Sequence, residues 1–493
     1  MSRLLTLCAA CCVLCSVSAG QHWPDDGEFL LDTSLARVPA QDEQQGPAVA
    51  FDGENFLVVW RDYRNGQYTD VYGARVSPDG VVLDATGIPI STAVGDQDDV
   101  AVAFGGADFL VAWRDFRDGD DTDIYGARVT TSGTVLDTQG FIISKAASSQ
   151  WSPALAFDGV NFLVVWADGS SGPGDILGAR VTPDGVVLDT AAIAISTAVN
   201  DQKAPAVVLA GATFLVVWQD TRSGSADIYG ARVTLGGIVL DSQGIAISTP
   251  ERTQIVPAVC FDGGNSLVAW EDRRNGSKDI YGARVTPAGV VLEQDGIAIS
   301  TAARYQFDPA LSFDGANYLV VWEDTRSGDN SDIYGARVTT GGVVFDSGLV
   351  VLQESIQQYP MLARGTGSRV LLAYQGWAGT VGEKTYNANR TWGKMNPNPG
   401  VEEAGNSEVR REKVATVVRG ILHLWLGTRS ELPGRNSVMS RAALLDAAGR
   451  KVMELQAGPN DVRRLAPGVY FVREARAQVQ AQALDVRKVV ITR

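Results

Sequence analysis

QIVPAVCFDGGNSLVAWEDRRNGSKDIYGARVTPAGVVLEQDGIAISTA, residues 254–302, is one copy of a unit that fills most of this 493-residue chain. Its tryptophan recurs at Trp60, Trp113, Trp166, Trp218, Trp270 and Trp322, with Tyr374 at the next step, always 52 or 53 residues apart. Within the copy, residues 257–261 read as a first strand that ends in an Asp-Gly-Gly turn. Residues 266–270 form a nearly continuous apolar run, as a strand covered on both faces requires. A polar loop over 271–278 leads to a third strand at 279–285. A Thr-Pro-Ala-Gly turn then opens a fourth strand over 290–292, extended by 297–299. No segment shows the 3.6-residue period of a helix.

Four strands in every 52 or 53 residues predict one blade of a β-propeller. A β-solenoid would use shorter coils with no fourfold subdivision. Six copies are complete. Before the first, residues 27–32 and 35–38 resemble an isolated fourth strand. The last copy offers three strands, around Leu362, at 371–374 and at 384–389, and then loses the pattern. An orphan strand at one end and a three-stranded remnant at the other are complementary. Their pairing closes a ring and removes both exposed edges. The expectation is an all-β, seven-bladed β-propeller over residues 20–395.

The first 19 residues read as a signal peptide. Arg3 is followed by an apolar run over 4–17 and small residues at 17–19. That run is too short for a membrane anchor, and nothing later is apolar enough to span a bilayer. Four of the five cysteines lie in this segment, so the mature chain keeps Cys260 alone and is held together without internal disulfides. The chain carries a net charge of −15, but residues 401–493 hold 16 Lys/Arg against 10 Asp/Glu, so the repeats are strongly acidic. Such a surface repels nucleic acid and anionic membranes and suits cations, basic proteins or neutral glycans.

After Trp392 the repeat gives way to the proline-broken linker Lys394-Met395-Asn396-Pro397-Asn398-Pro399-Gly400 and a second run of strand signals. The segments AALLDAAGRKVMEL (442–455), GPNDVRRLAPGVYFVRE (458–474) and RKVVITR (487–493) carry Gly449, Arg450, Gly468, Tyr470 and Lys488. Together with the Asn-Pro-Asn-Pro start, they resemble the type A C-terminal sorting domain of the type IX secretion system. That resemblance covers residues 396–493. It implies a small immunoglobulin-like β-sandwich, recognition by the type IX machinery, and delivery outside a Gram-negative cell, either released or attached to its outer surface. The propeller has no comparable named match. It lacks WD signatures, the Asp-box of sialidases and the calcium loops of integrin-type propellers.

Ring closure through a fourth strand puts each first strand at the axis. The second-to-third loops and the fourth-to-first connections then share one face, which is the natural place for binding. Two repeated sets occupy it. In Trp-x-Asp-x-Arg-x-Gly followed by Asp-Ile-Tyr-Gly, an Arg placed between two acids would bridge them and pin the loop. Where the Arg is lost, paired carboxylates would suit Ca²⁺. The candidates are Asp168 and Asp175 in blade three, where Ser170 replaces Arg, and Asp118, Asp120 and Asp123 in blade two. A glutamine also lies 16 residues before each Trp position, at Gln44, Gln97, Gln150, Gln202, Gln254, Gln306 and Gln358. These would tie neighbouring blades or line a polar axial pocket. Beside them stand Trp151, Tyr305, Phe307 and Tyr359, aromatics suited to stacking on a sugar or anchoring a protein, or to covering strand ends.

The only histidines are His22 and His423, so no Ser-His-Asp triad and no His-ligated metal can form within the propeller. Cys260 lies in an apolar inner strand, as a core residue does. The sequence therefore points to an exported binding or interaction module. Its rivals are a carbohydrate-active hydrolase working through loop carboxylates and a structural surface component. No cofactor is implied beyond a possible Ca²⁺.

Overall fold

The computed structural model describes residues 28–33, 43–119, 121–169, 173–328, 330–351, 355–381 and 384–396, together with seven strands beyond residue 415. The chain divides into two compact units, one spanning Gly20–Glu402 and the other containing Glu403–Arg493. The described residues are strands and turns throughout. None forms a helix long and apolar enough to cross a membrane.

In the first unit each complete repeat folds into one four-stranded antiparallel sheet with its strands in sequence order. The innermost strands are Gln44–Phe51, Gln97–Phe104, Gln150–Phe157, Gln202–Ala210, Gln254–Phe261, Gln306–Phe313 and Gln357–Arg364. Each packs on the next, and the last returns to the first, so the wheel closes on seven blades. The seventh sheet runs Gln357–Arg364, Val370–Val381, Lys384–Met395 and finally Glu28–Leu30, with Glu28 opposite Lys394 and Leu30 opposite Trp392.

The apolar second strand follows from this geometry. It has a blade on either side, so both sets of alternating side chains are buried. Trp113 of blade two packs with Leu57 and Val59 of blade one, and Trp218 packs with Leu163 and Val165. All six tryptophans are fully buried, and truncating any one would cost about 3–5 kcal/mol. Across the sheet the Gly of each Gly-Ala-Arg faces the residue before the Trp, as Gly73 faces Val59 and Gly282 faces Ala269. At Gly73 a Cβ would sit 2.9 Å from the Val58 carbonyl oxygen, so the strands could not approach.

The fourth strand differs from the sequence reading. Residues 290–292 contribute only a single bridge, Val285 to Val291, because the turn at Thr286–Val290 closes too tightly to continue a ladder. The regular outer strand is Ile297–Ser300. The seventh-blade strands are also longer than their apolar cores, at Val370–Val381 and Lys384–Met395.

In the second unit the described strands form a five-stranded sheet in the order Thr416–Val418, Val486–Ile491, Gly468–Ala475, Arg441–Leu445, Lys451–Leu455. The first pair is parallel and the others antiparallel. Ile421–Leu424 pairs separately with Gly458–Asp461. Gly468 and Tyr470 face Ile491 and Val489 across the strand that carries Lys488. Gly449, Arg450 and residues 1–19 lie outside the described residues.

Candidate functional site at the axial mouth

The loop face is built on a repeated knot. In five blades the Trp indole N–H donates to the carboxylate two residues on: Trp60 to Asp62 at 2.9 Å, Trp113 to Asp115 at 2.7 Å, Trp218 to Asp220 at 2.8 Å, and Trp270 to Asp272 and Trp322 to Asp324 at 2.9 Å. The following Arg grips the same carboxylate. Arg222 donates through Nε at 2.9 Å and Nη2 at 2.6 Å, and through Nη1 it reaches the Gln243 carbonyl. Its guanidinium lies over the Tyr229 ring at 4.1 Å, and the same stacking recurs at Tyr72, Tyr125, Tyr281 and Tyr334. These carboxylates have no exposed side-chain surface, so the guanidinium supplies the countercharge and hydrogen bonds that water would otherwise give them.

The expected bridge between first and second acids is not what forms. The second acid stands directly across the sheet from the first, as Asp62 does from Asp70. It is held by the loop's own polar residues, Asn65 for Asp70 at 2.6 Å and Asn275 for Asp279 at 2.9 Å. Burial and the Asp62 charge push Asp70 up to about 7. Arg64 does contact another carboxylate, but that one is Asp32, next to the ring-closing strand.

Blade three lacks the knot. Leu177 stands where the Tyr would be, and the Trp166 indole N–H has no partner among the described residues. Asp168 turns instead to Ser148 Oγ at 2.6 Å and Gln150 Nε2 at 2.9 Å, facing Asp175 in register. Burial and the Asp168 charge raise Asp175. In blade two the Lys145 ammonium sits 2.5 Å from Asp118 and 3.9 Å from Asp123. Asp120 lies outside the described residues. Among those described, no three acidic, His or Cys side chains converge as a metal ion needs.

The glutamine ring is a set of ties between blades. Its members are fully buried, and in six of them the backbone N–H donates to the preceding blade, as Gln150 does to the Thr122 carbonyl at 2.8 Å and Gln306 to the Lys278 carbonyl at 2.9 Å, while Gln44 accepts from the Thr391 N–H at 3.2 Å. Their carboxamides close back on the adjoining connection, as Gln202 does on the Asn200 carbonyl at 2.8 Å. Gln150 and Gln306 therefore sit inside the wheel. In blade seven the member is Gln357, not Gln358. Gln357 pairs with Gly376 as Gln306 does with Asp324, and the longer turn after Arg364 adds one residue to the spacing.

Immediately past each tie, the innermost strand bulges. The residue two beyond the Gln adopts positive φ in every blade: Gly46 (58°), Asp99 (49°), Ser152 (51°), Ala204 (48°), Val256 (53°), Asp308 (47°) and Tyr359 (52°). This conformation is costly for non-glycine residues, and most of all for a β-branched one. Bulges of this kind re-aim side chains and occur beside functional sites. Here six residue types occupy seven equivalent places. The position after each Trp also varies, with Arg61, Arg114, Ala167, Gln219, Glu271 and Glu323, and Gln375 after Tyr374.

These two rings meet between blades. The bulged N–H groups of Asp308 and Tyr359 donate to Glu271 at 3.1 Å and Glu323 at 2.8 Å, and that of Ser152 donates to Asp99 at 3.2 Å. Lys278 pairs with Glu271 at 2.7 Å and lies over the Phe307 ring at 4.3 Å, with Tyr305 packed 6.1 Å beyond. Asp308 and Glu323 hydrogen-bond to each other. Burial raises both, Asp308 to about 6 with the Glu271 charge adding, and Glu323 to about 8 with the Asp308 charge adding. The pair thus holds one proton between two carboxyls near neutral pH. On the other side of Tyr359, Arg61 and Arg114 surround Asp98, at 4.0 and 2.6 Å.

Of the predicted aromatics, Phe307 and Tyr359 belong to this mouth. Tyr305 is 53% exposed at its rim. Trp151 is partly buried against the core between blades three and four and covers strand ends. Cys260 is a core thiol whose ionisation burial pushes up to about 12. Asp308, Glu323, Glu271, Lys278 and the two arginines were not singled out from the sequence. Lining up the copies and asking where they differ would have found them.

No family model matches the chain, and no curated protein matches it. Among solved structures it is similar in shape to a protein of unknown function from Dyadobacter fermentans, at 12% identity and a TM-score of 0.45 over 76% of this chain and 98% of that one. A Trypanosoma rangeli sialidase matches at 10% identity and 0.43, over 72% of this chain and 55% of its own. The subtype N11 neuraminidase-like protein of A/flat-faced bat/Peru/033/2010 matches at 10% and 0.39, over 77% and 97%.

Proposed function

We propose that this is an exported binding module, secreted or held on the outer surface of a Gram-negative cell, whose ligand docks at the axial mouth of the loop face. The observation that carries this reading is the contrast between two sets of equivalent positions. The knots and glutamine ties repeat because the wheel needs them. The mouth keeps one strained backbone in all seven blades and fills it with unlike side chains. A scaffold gains nothing from that asymmetry, whereas selective recognition requires it.

Binding is favoured over hydrolysis by the pairing of the two acids at the mouth. Two-carboxylate glycosidases separate their acids by roughly 5–10 Å to admit the bond and the water. Asp308 and Glu323 share a hydrogen bond, a closer relation than that spacing. Export is supported by the signal-like N-terminus and the sorting-domain motifs on residues 396–493, with the secretion machinery as the partner of that region and an immunoglobulin-like sandwich as its fold.

Screening the purified chain against glycans and secreted proteins, with and without Tyr359→Asn, tests the binding reading. A ligand retained at full affinity by variants throughout the mouth would contradict it. Deleting residues 442–493 is expected to leave the protein in the periplasm, and normal surface delivery would overturn the sorting assignment.

A further inference from the structure

We propose that the sector of the mouth formed by blades five, six and seven is a binding site for an uncharged saccharide, with Tyr359 as the stacking platform and the Asp308–Glu323 pair and Gln375 as partners for sugar hydroxyls. This rests on the reading of the mouth as the binding face and adds the chemistry of what enters it.

The polar groups are those a polyol needs. Each sugar hydroxyl both donates and accepts, and neighbouring hydroxyls present donors and acceptors side by side. The hydrogen bond between Glu323 and Asp308 uses the pair's proton, so what the two carboxyls have left for a ligand are acceptor oxygens at adjoining positions, which take sugar O–H groups. The Gln375 carboxamide oxygen is an independent pointer. Gln375 is 4% exposed, stands opposite Gln358 at the position that Glu323 holds in the preceding blade, and its oxygen has no hydrogen-bond partner among the described residues. A buried acceptor left unmatched is costly, and a ligand O–H entering the mouth would satisfy it.

The apolar groups and the charge balance narrow the class further. Tyr359 is 41% exposed, while its backbone is fixed by the bond from its N–H to Glu323. A half-open ring on a rigid backbone is a good platform for the C–H face of a pyranose. The Tyr305–Phe307 pair extends this surface to the rim. Lys278 neutralises Glu271, which leaves the single charge of the acid pair, while Arg61 on the far side of Tyr359 is taken up by Asp98. The sector therefore carries little charge and that charge is negative, which disfavours anionic ligands and suits a neutral polyol.

The test measures binding of the full chain to immobilised neutral gluco-, galacto- and manno-oligosaccharides, and to uronate-bearing and sialylated ones. Neutral binding is expected, weakened at least about tenfold by Glu323→Ala, Gln375→Leu and Tyr359→Asn and kept within about threefold by Tyr359→Phe. Asn tolerates the left-handed backbone, so Tyr359→Asn separates lost binding from lost folding, with the thermal midpoint followed in parallel. Preference for anionic saccharides, lost on Arg61→Gln or Arg114→Gln, would overturn the neutral-ligand assignment and leave the mouth as the binding face. Neutral saccharides bound equally well by every mouth variant would overturn the binding face itself. Failure to bind any saccharide would overturn the proposal.

Discussion

The ammonium of Lys394 donates at 2.8 Å to Glu28 Oε1, joining residues 366 apart in sequence. The lysine is 1% exposed and also donates to the Val350 carbonyl at 2.7 Å, which ties the closing strand to blade six. A buried ammonium with two fixed acceptors is costly to strip of one of them. Glu28→Gln or Lys394→Met is expected to lower the unfolding free energy by about 3–5 kcal/mol. Chemical denaturation measures this directly, and a loss below 1 kcal/mol would show that the ring closes without the pair.

The Trp-Asp-Arg knot makes a sharper prediction, because its carboxylate is fully buried. Arg222→Ala leaves Asp220 facing the Trp218 indole with no countercharge and is expected to cost about 2–4 kcal/mol. Arg222→Lys should recover less than half of that. An ammonium cannot grip both carboxylate oxygens while lying flat on Tyr229. Equal stability of the Lys variant and the parent would refute the bidentate account.

Blade three offers the converse experiment. Its Arg and Tyr are replaced together, by Ser170 and Leu177. Leu177→Tyr and Ser170→Arg made singly should each be neutral or destabilising. Together they should exceed the sum of the single effects by about 1 kcal/mol, as the ring and guanidinium need each other. A double-mutant cycle with no coupling would sink this.

The Asp308–Glu323 pair predicts a pH dependence of known sign. Glu323 titrates at about 8 in the folded chain against an ordinary 4.5. Between those values the folded state holds a proton that the unfolded state has released, so stability falls as pH rises through the window. Glu323→Gln removes the titration. Relative to the parent it should gain about 1–3 kcal/mol at pH 9 and show little difference at pH 5. Urea midpoints at the two pH values decide it, and the opposite ordering would reject the shared proton.

Much of the fold was legible because it repeats. The 52-residue return of Trp, the turns between strand signals and the orphan strand before Gln44 specified the wheel, its seven blades and its closure. The site was harder to see for the same reason. Asp308, Glu323 and Glu271 come from two blades and are brought together only by the bulge that turns Asp308 and Tyr359 toward the preceding blade. The one sequence trace of that bulge is the proline that follows it in six blades, as at Pro309 and Pro360, where an inner strand should not carry one. Gln357 was missed because the spacing was counted through a turn one residue longer than its counterparts. The Arg role was misassigned because sequence spacing does not say which of two facing acids a guanidinium will choose.

The bulge ring has a consequence for how such a protein can change. Its left-handed backbone is imposed by the packing of neighbouring blades, since Gly, Asp, Ser, Ala, Val and Tyr all adopt it within 11° of one another. Residue choice at those seven places thereby alters the strain the wheel carries but not its architecture. Substitutions there can accumulate without disturbing the knots or ties, so the wheel works as a fixed frame with seven interchangeable slots. Drift or selection could fit it to new ligands one slot at a time.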